Sequence, residues 1–274
     1  MEFGTLSPDV GAFLWLAAEG MGAFPANILI SGGTSSGKTT FLNCLAMFIR
    51  PTERVITIED TAELKLPLKH WVRMETRPPS IEGTAEITMD ILLKNSLRMR
   101  PDRIVVGEVR HSEAFTLFTA MNTGHQGSMG TIHANSSNET LVRLMSPPMS
   151  VPEQMATALD LVVVLNRINV PKVGLKRRIT EIAEVTGVEK PELHIIYQWN
   201  AETDKVEMVD RNSLVLKKIQ KFSGMSIKSL EDEMKTRKDL LEAAVNKDVS
   251  SIEAFSFLLR KYYEAKNATE PKKT

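Results

Sequence analysis

Apolar residues recur along this chain in two alternating rhythms. Short, nearly unbroken runs occur at Ala26-Asn27-Ile28-Leu29-Ile30, Val55-Ile56-Thr57-Ile58, Ile104-Val105-Val106, Met129 to His133 and Leu161-Val162-Val163-Val164-Leu165. Such runs read as strands covered on both faces. Between them the spacing becomes helical. Ser7-Pro8 predicts a helix start, with Ser7 placed to cap and Pro8 at the first helical position, and Val10, Phe13, Leu14 and Ala17 share a face through to Gly20. Phe41, Leu42, Leu45, Phe48 and Ile49 repeat until Pro51 stops them. Further helices are predicted over 87–99, 112–122, 137–145 and 152–159, whereas Trp71 to Glu75 alternates like an exposed edge strand closed by Pro78-Pro79. Strands alternating with helices predict an α/β fold with a mainly parallel sheet and helices on both faces.

Composition shifts near Pro171. Strand-like runs at 179–187, 193–199 and 205–209 then suggest a small β-meander, followed by helices with Ile227, Leu230, Met234 and Leu241 on one face. Ser250-Ser251-Ile252-Glu253 reads as a capping box ahead of the stripe Ile252, Phe255, Leu259, Tyr262. The expected organisation is a core over 1–170, a region of strands and helices over 171–267, and a disordered polar tail over 268–274.

The strongest chemical signal follows the first strand. Gly32-Gly33-Thr34-Ser35-Ser36-Gly37-Lys38-Thr39 matches G-x-x-x-x-G-K-[ST], and Thr40 follows in the helix it opens. Gly32 and Gly37 permit backbone angles that let successive N–H groups turn inward on a phosphate. Lys38 would reach the β/γ-phosphates, the Thr39 hydroxyl would ligate Mg²⁺, and the helix N-terminus adds its partial positive charge. A glycine-rich turn that merely precedes a lysine is the bland alternative; the strand, loop and helix in order favour binding of a nucleoside triphosphate.

With 34 basic residues against 34 acidic, there is no bulk attraction to nucleic acid or anionic lipid. The clusters Lys176-Arg177-Arg178 and Lys217-Lys218 read as solvated surface. No apolar stretch has the length of a bilayer span, and there is no signal peptide. Cys44 is the single cysteine, so an internal disulfide is excluded; its helical spacing from Phe41 favours packing over reactivity. A reducing, cytoplasmic setting fits.

Hydrolysis needs an acid near the metal and another that orients water. Glu108 ends the strand Ile104-Val105-Val106-Gly107, beside the loop at the sheet's carboxyl edge. Gly107 occupies the place where many such ATPases carry aspartate, so Glu108 must supply most of the metal-side charge. Glu59-Asp60-Thr61-Ala62-Glu63 follows another buried strand, with Glu63 the preferred water-orienting acid and Glu59 second; a polar loop with a capping aspartate is the competing reading. His125 and His133 flank a short strand and make a poor zinc site without cysteine nearby, yet imidazole is a hydrogen-bond donor in either form and suits a phosphate sensor. Taken alone, each is as readily packing or surface. Arg98, Arg100, Arg110 and Arg143 are candidate phosphate clamps among which spacing does not choose.

Taken in order, Gly32–Thr39, Thr57 to Glu63, Leu97 to Arg110, and Thr123-Gly124-His125 through His133 resemble the Walker A, Asp box, Walker B and His box of the type II/type IV secretion ATPase superfamily. The wording around Glu59 and over 121–135 looks most like its archaeal branch. The resemblance spans roughly residues 5 to 165, and it implies a RecA-like P-loop core and a hexameric ring with ATP and Mg²⁺ held between subunits. It assigns Lys38 and Thr39 to phosphate and metal, Glu63 to the Asp-box acid, Glu108 to the Walker B acid, and His125 with His133 to γ-phosphate sensing; Arg110 and Arg98 also fall at family positions. His111 departs from the glycine or acid usual there. Members normally carry an N-terminal domain before the helix at residue 8, so the chain is expected to correspond to the C-terminal motor domain alone.

The leading expectation is a motor ATPase on the inner face of the cytoplasmic membrane, working with an integral membrane platform protein to drive a pilus, an archaellum-like filament or protein secretion. No direct nucleic-acid contact is expected. Alternatives are a nucleotide-binding assembly or regulatory module with negligible turnover, against which intact Lys38, Glu63 and Glu108 argue, and a DNA-conjugation-type export motor of the same superfamily. A small-molecule kinase would need an acceptor pocket and an arginine-rich lid, and neither is found.

Overall fold

The Ser7 hydroxyl accepts the Val10 N–H at 3.3 Å, and the first helix, α1 (Pro8–Glu19), ends where Gly20 turns left-handed at φ 63°. The computed structural model describes residues 1, 4–79, 85–170 and 174–269. The composition shift at Pro171 and the tail beyond residue 269 lie outside the described residues.

The strands are β1 (Ile28–Gly32), β2 (Val55–Glu59), β3 (Trp71–Glu75), β4 (Arg103–Val109), β5 (Met129–Ile132), β6 (Leu161–Val170), β7 (Gly174–Thr186), β8 (Glu192–Asn200) and β9 (Lys205–Met208). The remaining helices are α2 (Lys38–Ala46), α3 (Met89–Ser96), α4 (Glu113–Asn122), α5 (Ser137–Met145), α6 (Glu153–Ala156), α7 (Leu214–Ser223), α8 (Ile227–Asn246) and α9 (Ile252–Thr269). They surround one nine-stranded sheet of order β3-β2-β4-β5-β1-β6-β7-β8-β9. Pairing is parallel from β3 to β6 and antiparallel from β6 to β9. The half-exposed β3 forms one outer edge, as its alternation predicts.

Both faces of the sheet are covered, which explains the unbroken apolar runs. Ile28, Ile30, Val163 and Leu165 pack towards Phe13, Leu42 and the C-terminal helices. Leu29, Ile56, Val162 and Val164 pack the other way, towards Leu93, Phe118 and Leu141. At roughly 1.5–3 kcal/mol for each fully buried large apolar side chain, these two layers dominate the stability of the sheet.

Several expectations need correction. The boundary expected at 170/171 falls within one continuous sheet, because β7 pairs with β6 along its length. The C-terminal helices dock on the first: fully buried Arg237 of α8 pairs with Glu19 at 2.7 Å, and Trp15 Nε1 donates to Tyr263 Oη at 3.0 Å. Ser251, not Ser250, caps α9, accepting the Ala254 N–H at 3.1 Å. That helix runs through Thr269, into the stretch expected to be disordered. Cys44 is exposed rather than packed away; surrounding bulk still raises its thiol pKa, which keeps it protonated. Of the two basic clusters, Arg177 and Lys217 are exposed as expected, but Arg178 is buried and pairs with Asp204 at 2.8 Å, and Lys218 reaches the buried Asp160 at 2.6 Å.

Candidate nucleotide-binding site

The loop between β1 and α2 has the backbone its residues predict. A Cβ on Gly32 would stand 2.4 Å from both the Leu165 carbonyl oxygen and Ser36 Oγ, so only glycine fits. Ser35 and Gly37 are left-handed, with φ of 60° and 95°. Thr34 and Ser35 form the exposed rim, Gly33 and Gly37 are half-buried, and Thr39 lies in the first turn of α2 with Thr40 exposed beyond it. Lys38 opens α2 and arches back, its Nζ donating to the Gly33 carbonyl at 3.0 Å. Burial lowers the Lys38 pKa; nearby Glu108 opposes that shift and Arg110 adds to it. Ser36 Oγ is buried and has no hydrogen-bond partner among the described residues.

Glu108 does not end its strand but lies inside β4, at a register shift between Val106 and Val109 against β5. Val106 faces Gly130 and Val109 faces Ile132, so β4 carries one extra residue there. A bulge of this kind re-aims side chains. Val109 returns to the core, whereas Glu108 stays half-buried and pairs with Arg110 at 2.5 Å. Arg110 also approaches Asp60 at 3.8 Å, so it bridges the ends of β4 and β2.

Glu59 and Glu63 part company. Glu59, the last residue of β2, is buried, and its Oε1 accepts the N–H groups of Glu63 and Leu64, both at 3.0 Å. It holds the loop rather than presenting a free carboxylate to water. Glu63 is exposed, and its side chain has no partner among the described residues. Its loop is tied to α2 by the Lys65 N–H donating to Asn43 Oδ1 at 2.7 Å.

The histidines are separated. His133 directly follows β5, whose Ile132 is level with Ser31 of β1, so it stands at the edge that carries the phosphate loop. Beside it, Ser31 Oγ donates to the Ala134 carbonyl at 2.8 Å, and a Cβ on Gly33 would meet Asn135 Oδ1 at 3.1 Å. His125 precedes β5 and belongs to the opposite edge, where Ser128 Oγ donates to its carbonyl and Ile28 N–H donates to the Ser128 carbonyl. In a parallel sheet the two ends of β5 are roughly 13 Å apart. The expected His125–His133 pair at one phosphate is therefore not formed within this chain. His125 Nδ1 is instead buried without a partner among the described residues.

Arg98 is likewise displaced. It lies in a single helical turn over Leu97–Met99 whose Met99 carbonyl accepts from Arg54 Nε at 3.1 Å, just ahead of β2. That is the amino edge of the sheet, away from the loop of its own chain. The arginine that does reach the loop is exposed Arg177 of β7, which donates from Nε to the Ser35 carbonyl at 3.0 Å. Only the long antiparallel β6–β7 pairing brings it there, and local sequence carries no signal for that.

A glycine-lined loop between a buried strand and a helix, with a lysine over it and an acid on β4, one strand removed from β1 across β5, defines the P-loop class of nucleotide-binding α/β proteins. Within that class, the family described as type II/IV secretion system protein matches residues 18–237. The chain belongs to this family. An uncharacterized protein of Methanocaldococcus jannaschii is 60% identical over 132 residues, covering 47% of this chain and 18% of that protein. A second uncharacterized protein of the same organism is 37% identical over 245 residues, covering 88% of each. The VirB11 ATPase of the Brucella suis type IV secretion system, solved with sulphate, is 31% identical with a TM-score of 0.52 over 64% of this chain and 53% of that one. The chain thus spans less than two thirds of the first relative and of the VirB11 ATPase. Among the described residues no helix is long and apolar enough to cross a membrane.

Proposed function

We propose that the chain is an ATP-hydrolysing motor unit of a secretion or filament-assembly system. The observation that carries this reading is the convergence of Lys38, the Glu108–Arg110 pair and His133 beside one phosphate loop at the carboxyl edge of the sheet. Lys38 and the loop amides hold the β- and γ-phosphates, and His133 stands where loss of the γ-phosphate is sensed. Glu63, on the loop that Glu59 anchors, orients the attacking water. The Thr39 hydroxyl and the Glu108 carboxylate offer one neutral and one charged oxygen donor. That sparse set fits Mg²⁺, which keeps most of its ligands as water and phosphate oxygens. When bound, Mg²⁺ neutralises charge on the phosphates.

Arg98, exposed at the far edge, serves a neighbouring subunit's nucleotide in this reading, consistent with a homo-hexameric ring. The VirB11 neighbour, an ATPase of a type IV secretion system, supports ATP as the nucleotide and a secretion apparatus as the setting. In this reading the ring works on the inner membrane face with an integral platform protein. A second reading, a motor for DNA-linked export, is favoured by a relative: the conjugal transfer protein TrbB of Rhizobium radiobacter is 38% identical over 169 residues, 59% of this chain and 49% of that protein.

The test is inorganic phosphate release from ATP, with Lys38→Ala in parallel. Phosphate release lost in the variant is the expected result. Tight binding without turnover, or transfer of phosphate to a small acceptor, would overturn the motor reading. Mass measurement with a non-hydrolysable ATP analogue should reveal a hexamer, and a monomer at every concentration would exclude the ring.

A further inference from the structure

β6 is level with Gly32 at Leu165 and continues five residues further, to Val170, before β7 returns antiparallel. The hairpin therefore projects roughly 16 Å past the sheet edge, alongside the phosphate loop. Strand alternation turns Arg178 inward onto Asp204 and leaves Arg177 facing the loop. Its Nε is held by the Ser35 carbonyl, and its Cδ is 3.1 Å from where a Cβ on Gly37 would be. Arg167 stands directly opposite Arg177 in the ladder. Like charges so placed destabilise a sheet unless an anion lies between them. Neither arginine has a carboxylate partner among the described residues.

Arg177 also lines a largely apolar cavity of about 600 Å³ whose walls include Ser36, Gly37 and Thr40 of the loop and helix, together with Leu6 and Phe255. The cavity shares Ser36, Gly37 and Thr40 with the phosphate loop, so it adjoins a ligand whose phosphates occupy that loop. A planar base is the size and polarity that such a space accepts.

We propose that Arg177, assisted by Arg167, is a second cationic clamp of the nucleotide site that grips the phosphate nearest the nucleoside. This rests on the nucleotide-binding reading of the loop. The fork of the guanidinium fits two phosphate oxygens, with Nε remaining on Ser35. The clamp holds ATP and ADP alike, since the phosphate it grips is common to both.

The experiment compares wild type, Arg177→Ala, Arg177→Lys, Arg167→Ala and Lys38→Ala by calorimetry with ADP, a non-hydrolysable ATP analogue and pyrophosphate, and by melting without ligand. Arg177→Ala should weaken ADP and the ATP analogue to a similar extent, by about tenfold. Pyrophosphate, which lacks the nucleoside-proximal phosphate, should be affected much less. Arg177→Lys should recover part of the loss, and unliganded melting should be unchanged. Arg167→Ala, which leaves the Ser35 contact intact, should weaken ADP more modestly. Unchanged ADP affinity in both arginine variants would overturn the clamp; if Lys38→Ala is also unchanged, the nucleotide site itself falls. Loss of ADP affinity accompanied by lowered unliganded melting and no rescue by lysine would reduce Arg177 to a brace of the loop.

Discussion

Glu59 lies flat against Gly107: a Cβ added to Gly107 would stand 3.1 Å from Glu59 Cγ and 3.4 Å from Glu59 Cβ. The same carboxylate anchors the loop that carries Glu63. Glu59 thus connects the end of β2, the bulge of β4 and the loop that leads from β2 to β3. It also explains why glycine, not aspartate, precedes Glu108 in this chain. A second acid there would meet a buried one.

Gly107→Asp should therefore lower stability by roughly 1–3 kcal/mol through overpacking, with like-charge repulsion in addition. Gly107→Ala needs Glu59 to give way by only a few tenths of an ångström and should cost less. Thermal unfolding of both variants checks the order. A Gly107→Asp protein as stable as wild type would mean that Glu59 is not confined.

Glu108→Gln should keep nucleotide affinity and lose hydrolysis. The amide preserves shape while removing the charge that faces Lys38 and pairs with Arg110. Freed from Glu108, Arg110 retains the more distant Asp60 contact. Single-turnover cleavage within a few-fold of wild type would remove Glu108 from the chemistry.

Lys38→Ala should weaken ATP at least tenfold, because charge-assisted hydrogen bonds contribute roughly 1.5–3 kcal/mol each. A pH dependence follows from the lowered pKa. Burial disfavours the Lys38 cation, so in the free protein it begins to lose its proton below the ordinary lysine value of 10.5. Only the charged form grips phosphate, so affinity should fall as pH rises, earlier than an exposed lysine would dictate. ADP titrations from neutral to alkaline pH, with Lys38→Arg as the non-titrating control, check this. Identical profiles for the two proteins would contradict it.

Asp204 supplies a structural test outside the nucleotide-contacting residues. Hydrogen bonding from Arg178, reinforced by Trp199, holds its pKa down to about 2. A depressed carboxylate stabilises the fold above its unfolded value, and that contribution is lost as pH falls from about 3.8 towards 2. Asp204→Asn should show less acid-induced loss of melting temperature across that window. It should also loosen the strand that presents Arg177. Equal acid sensitivity in both proteins would break the link.

What the sequence discloses, and what it hides, divides along physical lines. β1, α2 and the phosphate loop are legible because periodicity and glycine spacing are local. Glu108 is legible as an acid at the end of an apolar run, although the bulge that aims it is not. The buried charges are hidden: Glu19 and Arg237 pair across 218 positions, a contact no window of sequence contains. Arg177 is hidden for the same reason, since its place depends on the register of β6 with β7. The misplacement of His125 is different in kind. Its position before a parallel strand already puts it at the amino edge, and the shared phosphate comes from the resemblance to the family's His box, which says nothing of which edge each histidine occupies within one chain.

That separation yields the sharpest contrast between two variants. His133 stands at the loop edge, where a hydrogen bond to a γ-phosphate contributes about 1 kcal/mol in the ground state, so its loss should weaken ATP by less than tenfold. Its importance lies in the change of contacts once the γ-phosphate has left, which biases two subunit conformations differently. His133→Ala should bind ATP nearly normally yet lose most turnover and most of the scattering difference between ATP-analogue and ADP states. His125→Ala removes a ring whose Nδ1 is buried at the opposite edge. It should alter melting while leaving the affinity and turnover of the isolated chain close to wild type. If His125→Ala abolishes turnover, the two histidines act together by a route that the sheet of one chain does not provide. If His133→Ala retains both turnover and the scattering difference, the sensing role of His133 is wrong and its conformation serves only to close the end of β5.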